Sequence, residues 1–538
     1  MVLAAGLCAM PVHGASAAAN TRPGQPVRSC ESLTALRFPD GTTVTSVSQT
    51  TTTPVICNVE LLVPQNIHMR VSLPVGTWNG RFQGVGGGGF DGSIPDTESA
   101  AKAGYAAAGS DSGHTADSSD ASWAWSPTGM NASLINDFIS RALHETTLKG
   151  KAVTQAFYGK SPTYSYWNGC SNGGREGLQE AQVQPRDYDG ILAGAPAIQA
   201  DRFLPAAMWP QVVMHELDDF VPSCKFDAVN KAVTAACDSR DGVTDGVITD
   251  PRTCRFNPTS LVGTVTPCGT ITAKDAAVVK KIWDGPRRPD GTRLWYGILP
   301  GASFARLAAT ANGDGVPTPL ASGWFTYWLA KDPSFDWHSL TLANFAQYFD
   351  QSRQEWGPVV GTDDPDLSAF RAVGGKLLLW HGLADQLIPS QGTTSYYEQV
   401  TAAMGGRAKT EQFARLFTAP GVGHCRGGSG AAPADPLAAL VKWVEQGKAP
   451  TTLLAENGPM SRPLCLWPAV ARYDGHGSTN DAANFRCTAA SDALSVSAGV
   501  DLWKVTMKPP RLRPGGFIVE RVTRIEHALS DRQAIAPL

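Results

Sequence analysis

The sequence predicts an α/β protein whose sheet is interrupted by a large insertion. Apolar, β-rich runs alternate with Ala-rich helical stretches over residues 55–197 and again over residues 375–447, the alternation that lays helices against a sheet. The residues between them differ in character: they hold Trp209, Trp283, Trp295, Trp324, Trp328 and Trp337, many prolines and several acidic turns. A length of 538 residues accommodates roughly two to four domains. The expected division is a leader over 1–19, a sheet domain built from 20–197 and 371–490, an inserted lid over 198–370, and a more basic tail over 491–538 to which no role is assigned.

Composition removes some function classes. A net charge of −3 with 17% charged residues offers no polybasic surface for nucleic acid. After the leader no run approaches the roughly 18 apolar residues that would make a membrane span. The leader, MVLAAGLCAMPVHGASAAAN, is apolar and then rich in small residues suited to cleavage near Ala17 to Ala19, which predicts a secreted or periplasmic protein. Beyond Cys8 ten cysteines remain, and an even number in an exported chain predicts five disulfides. Cys237 with Cys254 and Cys465 with Cys487 are the simplest sequence-local pairs. The partners of Cys30, Cys57, Cys224 and Cys268 stay open. No CxxC pairs with nearby histidines suggest a zinc ribbon.

In sequence order, the strand-like RFQGV leads into Gly86–Gly89, a run whose bare backbone can approach a substrate closely. Thr163 to Trp167 reads as a short strand and Arg175 to Gln182 as a helix; between them Gly169-Cys170-Ser171-Asn172-Gly173 fits G-x-S-x-G, the strand-to-helix turn that exposes a serine nucleophile. The serine sits in strained backbone there, and side chains on its flanks would clash. Farther on, Lys376 to Trp380 reads as a buried strand followed by a loop carrying Asp385, and LFTAPGVGHCRGG places His424 in a glycine-rich loop after another apolar run. Serine is a weak nucleophile until a histidine takes its proton, and that histidine needs a carboxylate to hold its tautomer. The order Ser171, Asp385, His424 is that of the α/β-hydrolase fold, here with a large inserted lid domain.

Cys170 precedes the serine and Cys425 follows the histidine. If Ser171 and His424 are within hydrogen-bond reach, these neighbours fall within the separation of a disulfide, which would staple the two loops across more than 250 residues for at most about 5 kcal/mol. One oxyanion donor should be the N–H of Asn172, and the second should come from the Gly86–Gly89 run. In the insertion, CDSRDGVTDGVITDPRTC crowds Asp238, Asp241 and Asp245 within eight residues. Unrelieved, these acids repel; a hard cation could draw side-chain and backbone oxygens from Asp241, Val243, Asp245 and Val247.

GCSNGG, Asp385 and GHC, together with TWNGRFQGVGGGGFDG, SDSGH and the acidic loop, make the chain resemble the tannase and feruloyl esterase family, which includes the hydrolase of mono(2-hydroxyethyl) terephthalate. The resemblance covers roughly residues 28–489. It implies Ser171, Asp385 and His424 as the triad, a Cys170–Cys425 disulfide, Gly89 as the second oxyanion donor, and a lid over an aromatic-acid pocket. It also implies structural calcium bound through Asp238, Asp241, Val243, Asp245 and Val247, enclosed by a Cys237–Cys254 disulfide. No organic cofactor is needed.

The expected function is hydrolysis of carboxylic esters of aromatic acids through an acyl-enzyme, with terephthalate-type monoesters as the alternative substrates and a small aromatic ester as the partner. A non-catalytic binding module of the same fold would have no need of all three residues. A metallohydrolase is disfavoured because no HExxH pair occurs. Of the lid aromatics Trp324, Phe325, Tyr327 and Trp328, the spacing fits core packing as well as a binding wall.

Overall fold

Apolar runs of β-branched and aromatic residues become one mixed nine-stranded sheet in the computed structural model, which describes residues 24–489. Its strands are β1 (Thr43–Gln49), β2 (Ile56–Val63), β3 (Ile67–Pro74), β4 (Arg81–Val85), β5 (Ala106–Ser110), β6 (Tyr164–Cys170), β7 (Gly190–Gly194), β8 (Lys376–Gly382) and β9 (Ala414–Ala419). The spatial order is β1-β2-β3-β5-β4-β6-β7-β8-β9. The first strands pair antiparallel, whereas β5, β4, β6, β7, β8 and β9 run parallel. Both faces are covered, as a parallel sheet requires. Along β8, Leu377 and Leu379 enter one apolar cluster and Leu378 and Trp380 the other, the period-two alternation of a strand buried on both sides.

Helices α1 (Ala142–Tyr158) and α2 (Asn172–Val183) pack on one face. The residues between β7 and β8 hold α3 (Ala200–Glu216), α4 (Ser223–Cys237), α5 (Ala273–Asp284), a π-type segment at Trp324–Ala330, and α6 (Phe345–Val360). Beyond β8, α7 (Ser390–Ala403) joins the face of α1, and α8 (Pro436–Gln446) covers the other. The inserted helices bury Phe203, Trp324, Trp328 and Trp356 in one cluster with Phe90, Leu387 and Ile388 from loops of the sheet and Phe138 from the helical turn Asp137–Arg141. The insertion therefore packs over the ends of the parallel strands, where their loops carry function.

Among the described residues five disulfides form: Cys30–Cys57, Cys170–Cys425, Cys224–Cys268, Cys237–Cys254 and Cys465–Cys487. The last clamps a C-terminal hairpin, Val470–Tyr473 with Phe485–Thr488, to the strand Met460–Cys465. Among the described residues no helix is long and apolar enough to cross a membrane. The expected leader and the 491–538 tail lie outside the described residues.

Candidate active site

Ser171 sits between the end of β6 and the start of α2 with φ 62° and ψ −125°, a strained conformation that persists only when the surroundings dictate it. They do so through the backbone: Ser171 N–H donates to Gly194 O at 3.0 Å, while its own carbonyl accepts from Arg175 N–H at 3.0 Å and Ala197 N–H at 2.9 Å. The glycines are needed for space. A Cβ on Gly169 would strike the Gly173 carbonyl, and one on Gly173 would strike the Gly86 backbone. The nucleophile turn is thus wedged against the glycine-rich loop after β4.

His424 lies in the loop after β9 and Asp385 in the loop after β8. Ser171 Oγ is 2.9 Å from His424 Nε2, and His424 Nδ1 is 2.8 Å from Asp385 Oδ2. Asp385 Oδ1 accepts from the N–H groups of Leu387 and Ile388, each at 2.8 Å, so the carboxylate cannot rotate without breaking two bonds. Burial works to raise the Asp385 pKa, but hydrogen bonds from His381 and His424 and the charge of both rings hold it well below the usual carboxylate range. His424 N–H donates to Gln386 Oε1 at 3.0 Å. The Cys170–Cys425 disulfide, with Cα atoms 6.0 Å apart, joins the two loops immediately beside the serine and the histidine.

Gly89, at φ 62°, and Asn172, the first residue of α2, line a pocket together with Ser171. Its walls carry Phe90, Phe138, Phe203, Trp324, Trp328 and Leu387. Of the four aromatics singled out from the sequence, Trp324 and Trp328 face this pocket, stacked with ring centroids 4.7 Å apart. Phe325 turns away to pack on Phe335, Phe345 and Tyr348, and Tyr327 lies beside Trp125. Phe90 and Phe138 were not foreseen. Phe90 comes from the loop after β4, and Phe138 from the helical turn Asp137–Arg141 that leads into α1.

The acidic loop is closed by Cys237–Cys254. Asp238 accepts from the N–H groups of Asp245 and Gly246 at 3.2 and 2.9 Å, Asp241 from Val243 N–H at 2.9 Å, and Asp245 from Val247 N–H at 3.1 Å while pairing with Arg462. Burial pushes the Asp241 pKa up, and the charges of Asp245 and Asp238 push it further. The donor set is that of a hard cation, oxygen only, but among the described residues no three of these side chains converge on one point. In space the loop is nearer the site than its sequence position suggests. Ser429 Oγ, four residues past Cys425, donates to Gly246 O at 2.9 Å.

Sequence reasoning missed three buried groups around the site. His381, at the end of β8, reaches Asp385 Oδ2 at 3.1 Å through Nε2; its position four residues before Asp385, inside an apolar run, was the available signal. Asp91 and Glu176 lie behind Asn172 and the glycine run, with no sequence cue beyond proximity to the motifs.

The profile of the family described as "Tannase and feruloyl esterase" matches residues 53–488. The chain is 44% identical over 469 residues to a probable feruloyl esterase of Arthroderma benhamiae, covering 82% of this chain and 87% of that protein. It is 30% identical over 509 residues to the mono(2-hydroxyethyl) terephthalate hydrolase of Piscinibacter sakaiensis, covering 79% and 82%. A crystal structure of an esterase from Aspergillus oryzae superposes with a TM-score of 0.78 at 26% identity, covering 85% of this chain and 99% of that one. With the α/β sheet and the serine-bearing turn in place, these matches establish that the chain belongs to the tannase and feruloyl esterase family of carboxylic ester hydrolases.

Proposed function

We propose that the protein hydrolyses carboxylic esters of aromatic acids through an acyl-enzyme on Ser171. The observation that carries this is the continuous Ser171–His424–Asp385 hydrogen-bonded line opening on a pocket walled by aromatic rings. In this reading Ser171 Oγ attacks the ester carbonyl as His424 Nε2 accepts its proton. Asp385 holds Nδ1–H and stabilises the imidazolium. The N–H groups of Gly89 and Asn172 receive the oxyanion, the latter aided by the N-terminal end of α2. His424 then protonates the departing alcohol, and a water activated by the same nitrogen releases the acid. A planar acyl group would lie among Phe90, Phe138, Trp324 and Trp328, under the insertion acting as a lid. Five disulfides fit an oxidising compartment, which supports a secreted or periplasmic site of action. Calcium is proposed at the acidic loop, held by Asp238, Asp241 and Asp245 with the carbonyls of Val243 and Val247; binding there would draw Asp245 from Arg462.

A serine-reactive phosphonate and a panel of feruloyl, galloyl, chlorogenate and terephthalate monoesters test this reading. Labelling is expected at Ser171, and Ser171→Ala should lower kcat at least about 10⁴-fold while the protein stays folded. A Ser171→Ala variant with wild-type kcat would sink the mechanism. The order of kcat/KM across the panel decides between hydroxycinnamoyl or galloyl esters and terephthalate-type monoesters, such as the substrate named for the Piscinibacter sakaiensis relative.

A further inference from the structure

Behind the two proposed oxyanion donors lies a buried polar layer that the triad does not use. Asp91, two residues past Gly89, and Glu176, four past Asn172, are each 2% exposed, and their carboxyl groups converge on one donor, Asn172 Nδ2. Asp91 Oδ2 accepts from Ser112 Oγ at 2.7 Å and from Asn172 Nδ2 at 2.8 Å. Glu176 Oε2 accepts from Gly87 N–H at 3.0 Å, and Oε1 from Asn172 Nδ2 at 3.1 Å. Gly173 N–H donates to Gly87 O at 3.0 Å, and Asp91 N–H to Gly88 O at 2.9 Å. The loop carrying Gly89 and the helix carrying Asn172 are therefore joined by these two acids together with the Gly173–Gly87 backbone bond.

Two buried carboxylates held on one neutral amide require either a second cation or a proton. Arg175 is the guanidinium that faces them, 4.0 Å from Glu176, but its nitrogens are directed to Asn172 Oδ1 at 2.5 Å and to the carbonyls of Ile139 and Phe138 at 3.2 and 3.1 Å. The other titratable neighbours are His114 beside Asp91, Glu180 on the same helix as Glu176, and Tyr188 ahead of β7. Among the described residues Asp91 Oδ1 finds no donor. A proton on Glu176 supplies one and makes the set of Arg175, Asp91 and Glu176 neutral overall. Burial, and then the charge of Asp91, push the Glu176 pKa well above the carboxylate range.

We infer that Glu176 and Asp91 share a proton and, as a pair, position the oxyanion donors Gly89 and Asn172, an assignment that rests on Ser171 being the nucleophile. Both are positioning residues. When alkali removes the shared proton, the two like charges repel, Asp91 Oδ1 loses its donor, and the glycine loop moves from α2. A shift of about 1 Å at a reacting centre can cost on the order of 100-fold in rate. The loss falls on kcat rather than KM, because the oxyanion exists only in the transition state.

The test is the pH dependence of kcat and KM on an activated aromatic ester for the wild type, Glu176→Gln and Glu176→Ala. The wild type should show an alkaline limb in kcat. Glu176→Gln, whose amide donates to Asp91 without titrating but forfeits one acceptor, should lose about tenfold in kcat at neutral pH and lose the limb. Glu176→Ala should lose about 100-fold in kcat with KM changed less than about threefold. A wild-type minus Glu176→Gln infrared difference spectrum should show the carbonyl band of a protonated carboxylic acid. An unchanged limb in Glu176→Gln, a wild-type rate flat up to the pH of unfolding, or no such band overturns the inference; should Glu176→Ala not fold, the Glu176→Gln profile and the band decide. Phosphonate labelling of the wild type keeps the two readings apart: no adduct on Ser171 refutes the nucleophile, whereas an adduct with an unchanged limb refutes only the pair.

Discussion

His381 illustrates how a side chain with no direct access to substrate can set the chemistry. It is fully buried, with Nε2 near both Asp385 Oδ2 and Ile388 O at 3.1 and 3.2 Å, and Nδ1 2.8 Å from Thr393 Oγ1. Two acceptors around Nε2 fix the proton there, so His381 donates to the same carboxylate oxygen that holds His424. Replacing His381 by Phe should preserve the packed volume and remove one hydrogen bond to a charged group, about 1.5–3 kcal/mol, which translates to roughly 10- to 100-fold in kcat. KM on a small activated ester should stay put, and His381→Gln should recover part of the loss. A Phe variant with wild-type kcat would show that the two backbone N–H groups suffice to hold Asp385.

Where α3 meets α6, a carboxylate is buried without a donor. Asp201 is 1% exposed, and neither of its side-chain oxygens finds a hydrogen-bond donor among the described residues. Arg202 Nε stands 3.5 Å away. Burial, and next the opposing charge of Arg202, leave its pKa pushed up to about 7. A raised carboxyl pKa destabilises the fold progressively as pH climbs from the unfolded value near 4 to the folded value near 7, and the full cost, on the order of 4 kcal/mol, remains above that. Asp201→Asn should accordingly raise the melting temperature most at pH 8, with the gain shrinking toward pH 4; a gain independent of pH would refute the buried charge. Such interfaces were opaque in the sequence, unlike the strands. Arg81–Val85 has the bounds that RFQGV indicates, and the LLLW run forms β8. The reading of β6 and α2 was less accurate, ending the strand at 167 and starting the helix at 175, whereas they run to 170 and from 172. GCSNGG has weak propensity for either state; contacts from Gly86, Gly87 and Gly194 impose the structure.

Over the whole molecule, the order of Ser171, Asp385 and His424 was legible because each sits in a turn with its own chemical signature. The pairs of Cys30 with Cys57 and Cys224 with Cys268 were not, since spacing alone leaves many pairings open. The acidic loop shows the same limit. Sequence separated it from the triad, yet it docks on the C-terminal region through Asp245–Arg462, Arg472–Arg240 O and Ser429–Gly246 O. If it binds calcium, the ion steadies a contact between the insertion and the histidine loop. Calcium at about 100 times its Kd would then add ~2.7 kcal/mol. Calorimetry should show a melting temperature that falls with chelator in the wild type and is indifferent to calcium in Asp241→Ala; identical melting of the wild type with and without chelator would remove the ion from the account.

The Cys170–Cys425 link spans 255 residues, whereas the other four disulfides span between 17 and 44. The consequence is temporal. The chain grows from its N-terminus, so β6 and its serine are made long before the loop that supplies the histidine, and the entire insertion emerges between them. Closing a loop of that length costs more entropy than closing the short ones, and contacts so distant in sequence form late. The three local bridges that precede Cys425 can lock their neighbourhoods early, while the bond beside the serine must wait for the last strands of the sheet to dock. Competence for catalysis is thereby coupled to completion of folding: a half-made or misassembled chain carries the nucleophile but has no base to activate it.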